Sequence, residues 1–282
     1  MSEVKPRSWD EIILTLDLDK VAAEINAVEA GQPEMPDYER RDVRELVLLA
    51  AERWLPNDLV ELHLDGVEEA HDGTNFRGIL DLRGRHKGVL KAYQGFAGAG
   101  MIADWKTTKG ALDADWANRY KYSWQWKLYA MAFPETRLFH YRGISRSGDM
   151  RDVVIEIPPE VAGEATIFVD QVQEMRRSLF YENMLYKNGP HPWPRKMPSS
   201  CRAYGRDCDF KDTCWNNITV PGSVDINKAL SYSSIETFLL CPEKHRLTQI
   251  SGYGEDDEVL AFGKAFHRGI AEIYNQAFKR KS

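Results

Sequence analysis

Two short stretches, GILDL (78–82) and MIADWKTT (101–108), decide how this 282-residue chain is read. Each is a brief apolar run broken by an acid, too short for a helix of ordinary length and suited to a buried strand. Alternate strand side chains share a face, so Asp104 and Lys106 project together while Trp105 points the other way, into a core. If the two strands are neighbours, Asp81 lies beside them. Two carboxylates converging with a lysine make a hard-cation site: oxygen ligands suit Mg²⁺ or Mn²⁺, with positions left for water and phosphate. The lysine can orient or help deprotonate an attacking water and balance developing negative charge. These are the requirements of phosphodiester hydrolysis. An Asp-x-Lys tripeptide by itself is commonplace on solvated surfaces. Its setting between an apolar strand and a Gly-containing connection, where burying charge is costly, sets this one apart.

Working outward, DVRELVLLAAERW (42–54) carries Val43, Leu46, Val47 and Ala50 at helical spacing and is expected to end before Pro56. LVELHLDGV (59–67) alternates like a strand, and a turn at 71–75 leads to FRGILDLRG (76–84), closing a hairpin. The Gly-rich stretch HKGVLKAYQGFAGAG reads as loop or frayed strand, and MIADWKTT as a central strand. A helix is expected from about Asp115 to Phe133, then a β pair, RLFHYRGIS and MRDVVIEIP, around Arg146–Gly148. A long helix follows from about Pro159 to Tyr186, opened by Pro and acidic residues.

Beyond it the character changes. NGPHPWPRKMPSS (188–200) is a Pro-rich connector, followed by a cysteine segment and a polar linker, NNITVPGSVDINKA (216–229). Ser231 or Ser233 can cap the next helix, with Ser233 and Glu236 spaced as a capping box. The last helix, LAFGKAFHRGIAEIYNQAF, has an apolar face of Phe262, Phe266, Ile270 and Ile273. The chain is expected to divide into 1–195, a core with an acidic N-terminal helical region, and 196–282, the cysteine-rich and helical segment.

Composition is that of a soluble globular protein, 43% hydrophobic and 28% charged. No run approaches the roughly 20 apolar residues of a membrane span, and the polar N-terminus lacks a secretory signal. A cytoplasmic location with no membrane partner is the expectation. The net charge of −6 hides an asymmetry: residues 1–75 hold 19 acids and 7 bases, whereas 76–282 hold 24 acids and 30 bases. Local potential governs phosphate binding, so the overall sign does not exclude DNA or RNA.

The four cysteines are Cys201, Cys208, Cys214 and Cys241. Three fall within fourteen residues, and the fourth opens a Cys-Pro pair. Clustered cysteines in a reducing compartment are metal ligands or redox groups more often than disulfides.

GILDL followed by IADWKTTKG resembles the D…(D/E)-x-K core of the PD-(D/E)XK superfamily, in particular its RecB-like nuclease branch. The resemblance implies an α/β fold: a restriction-endonuclease-like core with a central mixed sheet flanked by helices, here joined to a Cys-ligated C-terminal helical segment. It assigns Asp81, Asp104 and Lys106 to catalysis. It also assigns Gln125 and Tyr129, which lie at i and i+4 of one helix, to positioning the site and DNA. The cysteines are similar to those of the iron–sulfur subgroup, which includes CRISPR-associated exonucleases. There four thiolates hold a [4Fe–4S] cluster, although Zn²⁺ suits the same residues. The gap between Cys208 and Cys214 fits that subgroup; the longer gap after Cys201 departs from it. LSYSSIETFLLCPEKHRL and FGKAFHRGI resemble the segment that ordinarily opens these nucleases, with Cys241 in its Cys-Pro pair and His267 as a metal ligand beside Asp81 and Asp104.

In this chain that segment comes last. A circular permutation, a segment swapped into a second subunit and an incomplete second copy are the three explanations. Permutation is preferred, because one complete set of parts is present and a metal site needs side chains together in space, not in order. The expected activity is a Mg²⁺- or Mn²⁺-dependent deoxyribonuclease, an exonuclease or DNA-end processor acting on single strands or duplex ends. With no helicase motif in the chain, unwinding would fall to a helicase or a recombination or adaptation partner. The competing readings are an inactive nuclease-fold module for DNA binding or assembly, and a zinc-stabilised binding protein.

Overall fold

The protein is described from a computed structural model at residues 7–28, 37–185, 201, 207–208, 210–215, 225, 227–251 and 258–279. Three N-terminal helices, α1 (Trp9–Ile13), α2 (Leu18–Ala27) and α3 (Asp37–Glu61), lead into strands β1 (Leu62–Asp72) and β2 (Arg77–His86). A 3₁₀ turn at Lys91–Phe96, within the Gly-rich stretch, precedes β3 (Gly100–Thr108). Helices α4 (Ala114–Lys121) and α5 (Gln125–Ala132) cross to β4 (Thr136–Ser145), which is followed by β5 (Met150–Glu156). The remaining helices are α6 (Val161–Leu185), α7 (Lys211–Trp215), α8 (Tyr232–Leu240), α9 (Pro242–Ser251) and α10 (Glu258–Lys279).

The five strands form one sheet in the order β1-β2-β3-β4-β5. β2 and β3 run antiparallel, β3 and β4 parallel, and β4 and β5 antiparallel, a mixed α/β arrangement. A parallel pair requires a crossover, here supplied by α4 and α5. β3 occupies the centre, and its first six residues, Gly100–Trp105, are all buried, the acid Asp104 among them.

The chain divides into two compact units. One comprises the described residues of Met1–Ala70, Ile79–Val161 and Asp256–Ser282; the other those of His71–Gly78 and Ala162–Glu255. In the first, Val43, Val47, Ala50 and Leu55 of α3 pack with Phe262, Phe266, Ile270 and Ile273 of α10 over Leu82 and Trp105. All four expected apolar positions of α10 are buried, each contributing about 1.5–3 kcal/mol relative to exposure. Trp105 meets Tyr274 edge-on, with centroids 5.3 Å apart. Gly269 permits α10 to lie close on α2, since a Cβ there would sit 2.9 Å from Ile25. In the second unit, Arg176 of α6 donates to the carbonyls of Asp225 and Lys228, and Phe76 bridges to Leu230.

Several local expectations are corrected. The first long helix runs through Pro56, and the strand begins only at Leu62. Leu55, Leu59 and Leu62 carry the buried stripe past the proline, and that burial offsets one missing backbone hydrogen bond. The single helix expected over 115–133 is two helices, because Ser123 Oγ accepts the Gln125 N–H and interrupts the ladder. At α8 the cap is Ser231, accepting from Ser234 N at 3.2 Å, so the Ser233–Glu236 box is not the one used. The Pro-rich connector (188–200) and residues 216–224 of the polar linker lie outside the described residues. Among the described residues, no helix is long and apolar enough to cross a membrane.

Candidate active site

Leu82 pairs with Ala103 across β2 and β3. One step further along this antiparallel ladder, Asp81 and Asp104 fall side by side on one face. Asp81 Oδ2 accepts from the Trp105 N–H at 2.7 Å, which fixes the carboxylate against the central strand. Its other oxygen, Oδ1, is 3.0 Å from Nδ1 of His267, 186 residues away on α10. Helix α10 brings the imidazole there because Phe266 beside it is locked into the core.

Asp104 is 3% exposed. Its Oδ2 lies 2.6 Å from Lys106 Nζ, and its Oδ1 accepts from Gln125 Nε2 at 3.0 Å. The break between α4 and α5 places Gln125 at the first position of α5. Tyr129, one turn on, donates its hydroxyl to the Ile79 carbonyl at 2.7 Å, two residues before Asp81. Tyr129 therefore anchors α5 to β2. α4 is seated by Trp116, whose ring occupies the space a side chain at Gly143 would need.

The electrostatics follow from burial. Burial raises the Asp104 carboxyl to about 6; Lys106 opposes this shift and Asp81 adds to it. Burial works against the Lys106 ammonium, but Asp104 and Asp81 outweigh it and hold its pKa above the ordinary value. Lys106 is therefore a cation. For His267 likewise, burial disfavours charge and the Asp81 carboxylate more than compensates, raising its pKa.

One participant escaped the sequence reading. Among the described residues, the group of His, Cys, Asp or Glu with ligand atoms all within 4.8 Å of one another is Glu68, Asp81 and His267. Asp104 stands next to this group, held by Lys106 and Gln125. Glu68 adopts φ +48°, a left-handed backbone at a non-glycine residue, a strain found disproportionately at functional sites. Burial raises its carboxyl, while His267 and Arg268 pull the other way. The only signal was the Glu68–Glu69 pair interrupting strand alternation after Gly66, and no spacing rule marks it.

The donor set is two carboxylates and one imidazole, with a third carboxylate adjacent, which fits Mg²⁺ or Mn²⁺. The cysteines belong to the other unit. There Cys208 N–H donates to the Cys201 carbonyl at 2.9 Å, and all four thiols are free and partly buried. Burial first, and Glu243 and the other thiols after it, raise Cys214 to about 11. Burial likewise raises Cys241.

The sheet is mixed and flanked by helices, and acids, a lysine and an imidazole gather beside β2 and β3. Residues 229–282 match the sequence model of the PD-(D/E)XK nuclease superfamily. The match contains Cys241 and His267 and supports a place in that superfamily, with which the fold is consistent. No curated protein matches the chain.

Proposed function

We propose that this protein is a divalent-metal-dependent deoxyribonuclease that trims or processes DNA ends. The observation carrying the reading is the 3.0 Å approach of His267 to Asp81 within one chain, beside Asp104 and Lys106. Asp81, Glu68 and His267 would hold the ion, together with the adjacent Asp104 carboxylate. When bound, Mg²⁺ or Mn²⁺ supplies Lewis-acid polarisation of the phosphate. Lys106, kept protonated by its two acidic neighbours, orients the attacking water and balances charge on the phosphate rather than acting as a base. Gln125 fixes the Asp104 carboxylate, and Tyr129 fixes the strand carrying Asp81.

Circular permutation accounts for the order of the parts, since the His-bearing helix completes the site from the far end of the sequence. The four cysteines are read as [4Fe–4S] ligands that staple 201–214 to 241, with Zn²⁺ as the competing occupant. Single strands or duplex ends are the substrates, and unwinding belongs to a partner.

Cleavage of end-labelled DNA is expected to require Mg²⁺ or Mn²⁺ and to stop with chelator; metal-independent cleavage, or none on any DNA, defeats the reading. His267→Ala is expected to weaken Mn²⁺ binding by about 10-fold or more, followed by electron paramagnetic resonance of free Mn²⁺. Anaerobically purified protein should carry about four iron and four sulfide per chain, whereas stoichiometric zinc would assign the thiols to the alternative.

A further inference from the structure

The break between α4 and α5 borders the candidate active site at both of its ends. Tyr120, in the last turn of α4, holds its ring 5.9 Å from Lys106 Nζ. Gln125, the first residue of α5, donates to Asp104. Residues 121–124 therefore form a rim between two side chains that touch the site. Three residues of chain span at most about 11 Å, so the Tyr122 backbone lies within that distance of Gln125.

The rim is held in place. The Tyr122 N–H donates to the Asn118 carbonyl at 3.0 Å, and the buried Trp126 indole donates to the Lys121 carbonyl at 3.1 Å. Tyr122 nonetheless leaves its side chain in solvent, with the residue 75% exposed. Scattered exposed apolar side chains are ordinary. Aromatic ones are rarer here: among the described Phe, Tyr and Trp residues, Tyr122 is the one that is neither buried nor half-buried. A ring fixed in position by its backbone loses little freedom when a ligand packs on it.

The charge around it has one sign. The stretch 116–134 holds Arg119, Lys121 and Lys127 and no acid. Arg119 and Lys121 are exposed in the last turn of α4, and Lys121 Nζ lies 6.0 Å from the Tyr122 ring centroid. The interior of the site is acidic, so the rim supplies the positive potential that draws phosphates toward it. An exposed ring beside cations is what a single strand of nucleic acid requires: a base stacks on the ring while the phosphates meet the cations. Inside a duplex each base has both faces covered by its neighbours, so such a ring selects unpaired bases.

We infer that Tyr122 is a stacking platform for an unpaired base of single-stranded DNA entering the site, with Arg119 and Lys121 attracting the adjoining phosphates. The inference rests on the nuclease reading for the position of the scissile phosphate. It decides between the two substrates that reading allows, in favour of the single strand.

Fluorescence anisotropy with an oligothymidylate of about 12 nucleotides, an abasic strand of the same length and a blunt duplex tests it. Ca²⁺ replaces Mg²⁺, and electrophoresis verifies that the DNA stays intact. The native protein is expected to prefer oligothymidylate to the abasic strand by about fivefold or more, the worth of one stacked base. Tyr122→Ala, an exposed substitution that leaves the fold unchanged by circular dichroism, should lose that preference and bind the abasic strand and the duplex as the native protein does. Tyr122→Phe, which keeps the ring, should retain it. No binding of oligothymidylate, no preference over the abasic strand, or a Tyr122→Ala loss that is absent or equal on all three DNAs overturns the inference. Because binding is read without cleavage, inactivity in Mg²⁺ counts against the nuclease reading alone, and an unaltered Tyr122→Ala against the platform alone.

Discussion

Asp104→Ala and Lys106→Met should each lower the rate of DNA cleavage by about 10³-fold or more, with the fold unchanged. The magnitude reflects what each side chain does. Removing one preorganised electrostatic contact to a developing oxyanion costs a factor of about 10²–10³, and here each deletion also strips its partner. Asp104 and Lys106 are bound to one another at 2.6 Å, so without Lys106 the buried carboxylate takes up a proton more readily still. Residues acting as a unit are not additive, and the double variant should be little worse than either single one. Rates from single-turnover cleavage of a labelled oligonucleotide, with circular dichroism as the control, provide the check. A variant retaining a tenth of wild-type activity would remove that residue from the mechanism. Because the Asp104 carboxyl sits at about 6, wild-type activity should fall as the pH drops through that value, where the ligand becomes protonated.

The second large effect is on stability. Arg142 is buried in the first unit, its guanidinium donating to both oxygens of Asp58 at 2.6 and 2.8 Å. The Tyr274 hydroxyl donates to Asp58 as well, at 2.6 Å. This joins α3, β4 and α10 beneath Trp105. Burial alone would lower the Arg142 pKa, but Asp58 and the groups around it raise it above its usual value. Asp58→Ala should therefore leave a charge that cannot be discharged, at a cost of about 3–5 kcal/mol. By the usual scaling this lowers the melting temperature by roughly 10 °C. Replacing both partners, as Asp58→Leu with Arg142→Met, should recover most of the loss, because the desolvation penalty disappears along with the pair. Urea denaturation of the single and double variants measures both. A double variant as unstable as Asp58→Ala would show that the pair itself, rather than its uncompensated half, carries the energy.

Much of the site was legible before any fold was known, and the reason is local. An Asp-x-Lys on a strand must place both side chains on one face with the intervening Trp105 inward, since the period of two allows nothing else. The apolar face of α10 was equally fixed by its spacing of three and four, and that face determines which way His267 can turn. Gln125 could be named from its position, but its role depended on a break no periodicity announced. Ser123 competes for a backbone N–H, turning one expected helix into α4 and α5 and delivering the amide to Asp104. Pro56 misled in the other direction, because burial of Leu59 and Leu62 outweighs the hydrogen bond the proline lacks.

Glu68 had no legible signature. Glu68 reaches the group through a left-handed backbone on a strand where alternation alone gave no reason to single it out. The sequence by itself determined which residues share a strand face or a helix stripe, because those relations are set by backbone geometry within a few residues. Only the tertiary structure decided that residues 81 and 267 meet, that Glu68 joins them, and that Lys106 remains charged. Those outcomes depend on which surfaces the core buries against one another, and on how much water is excluded when it does.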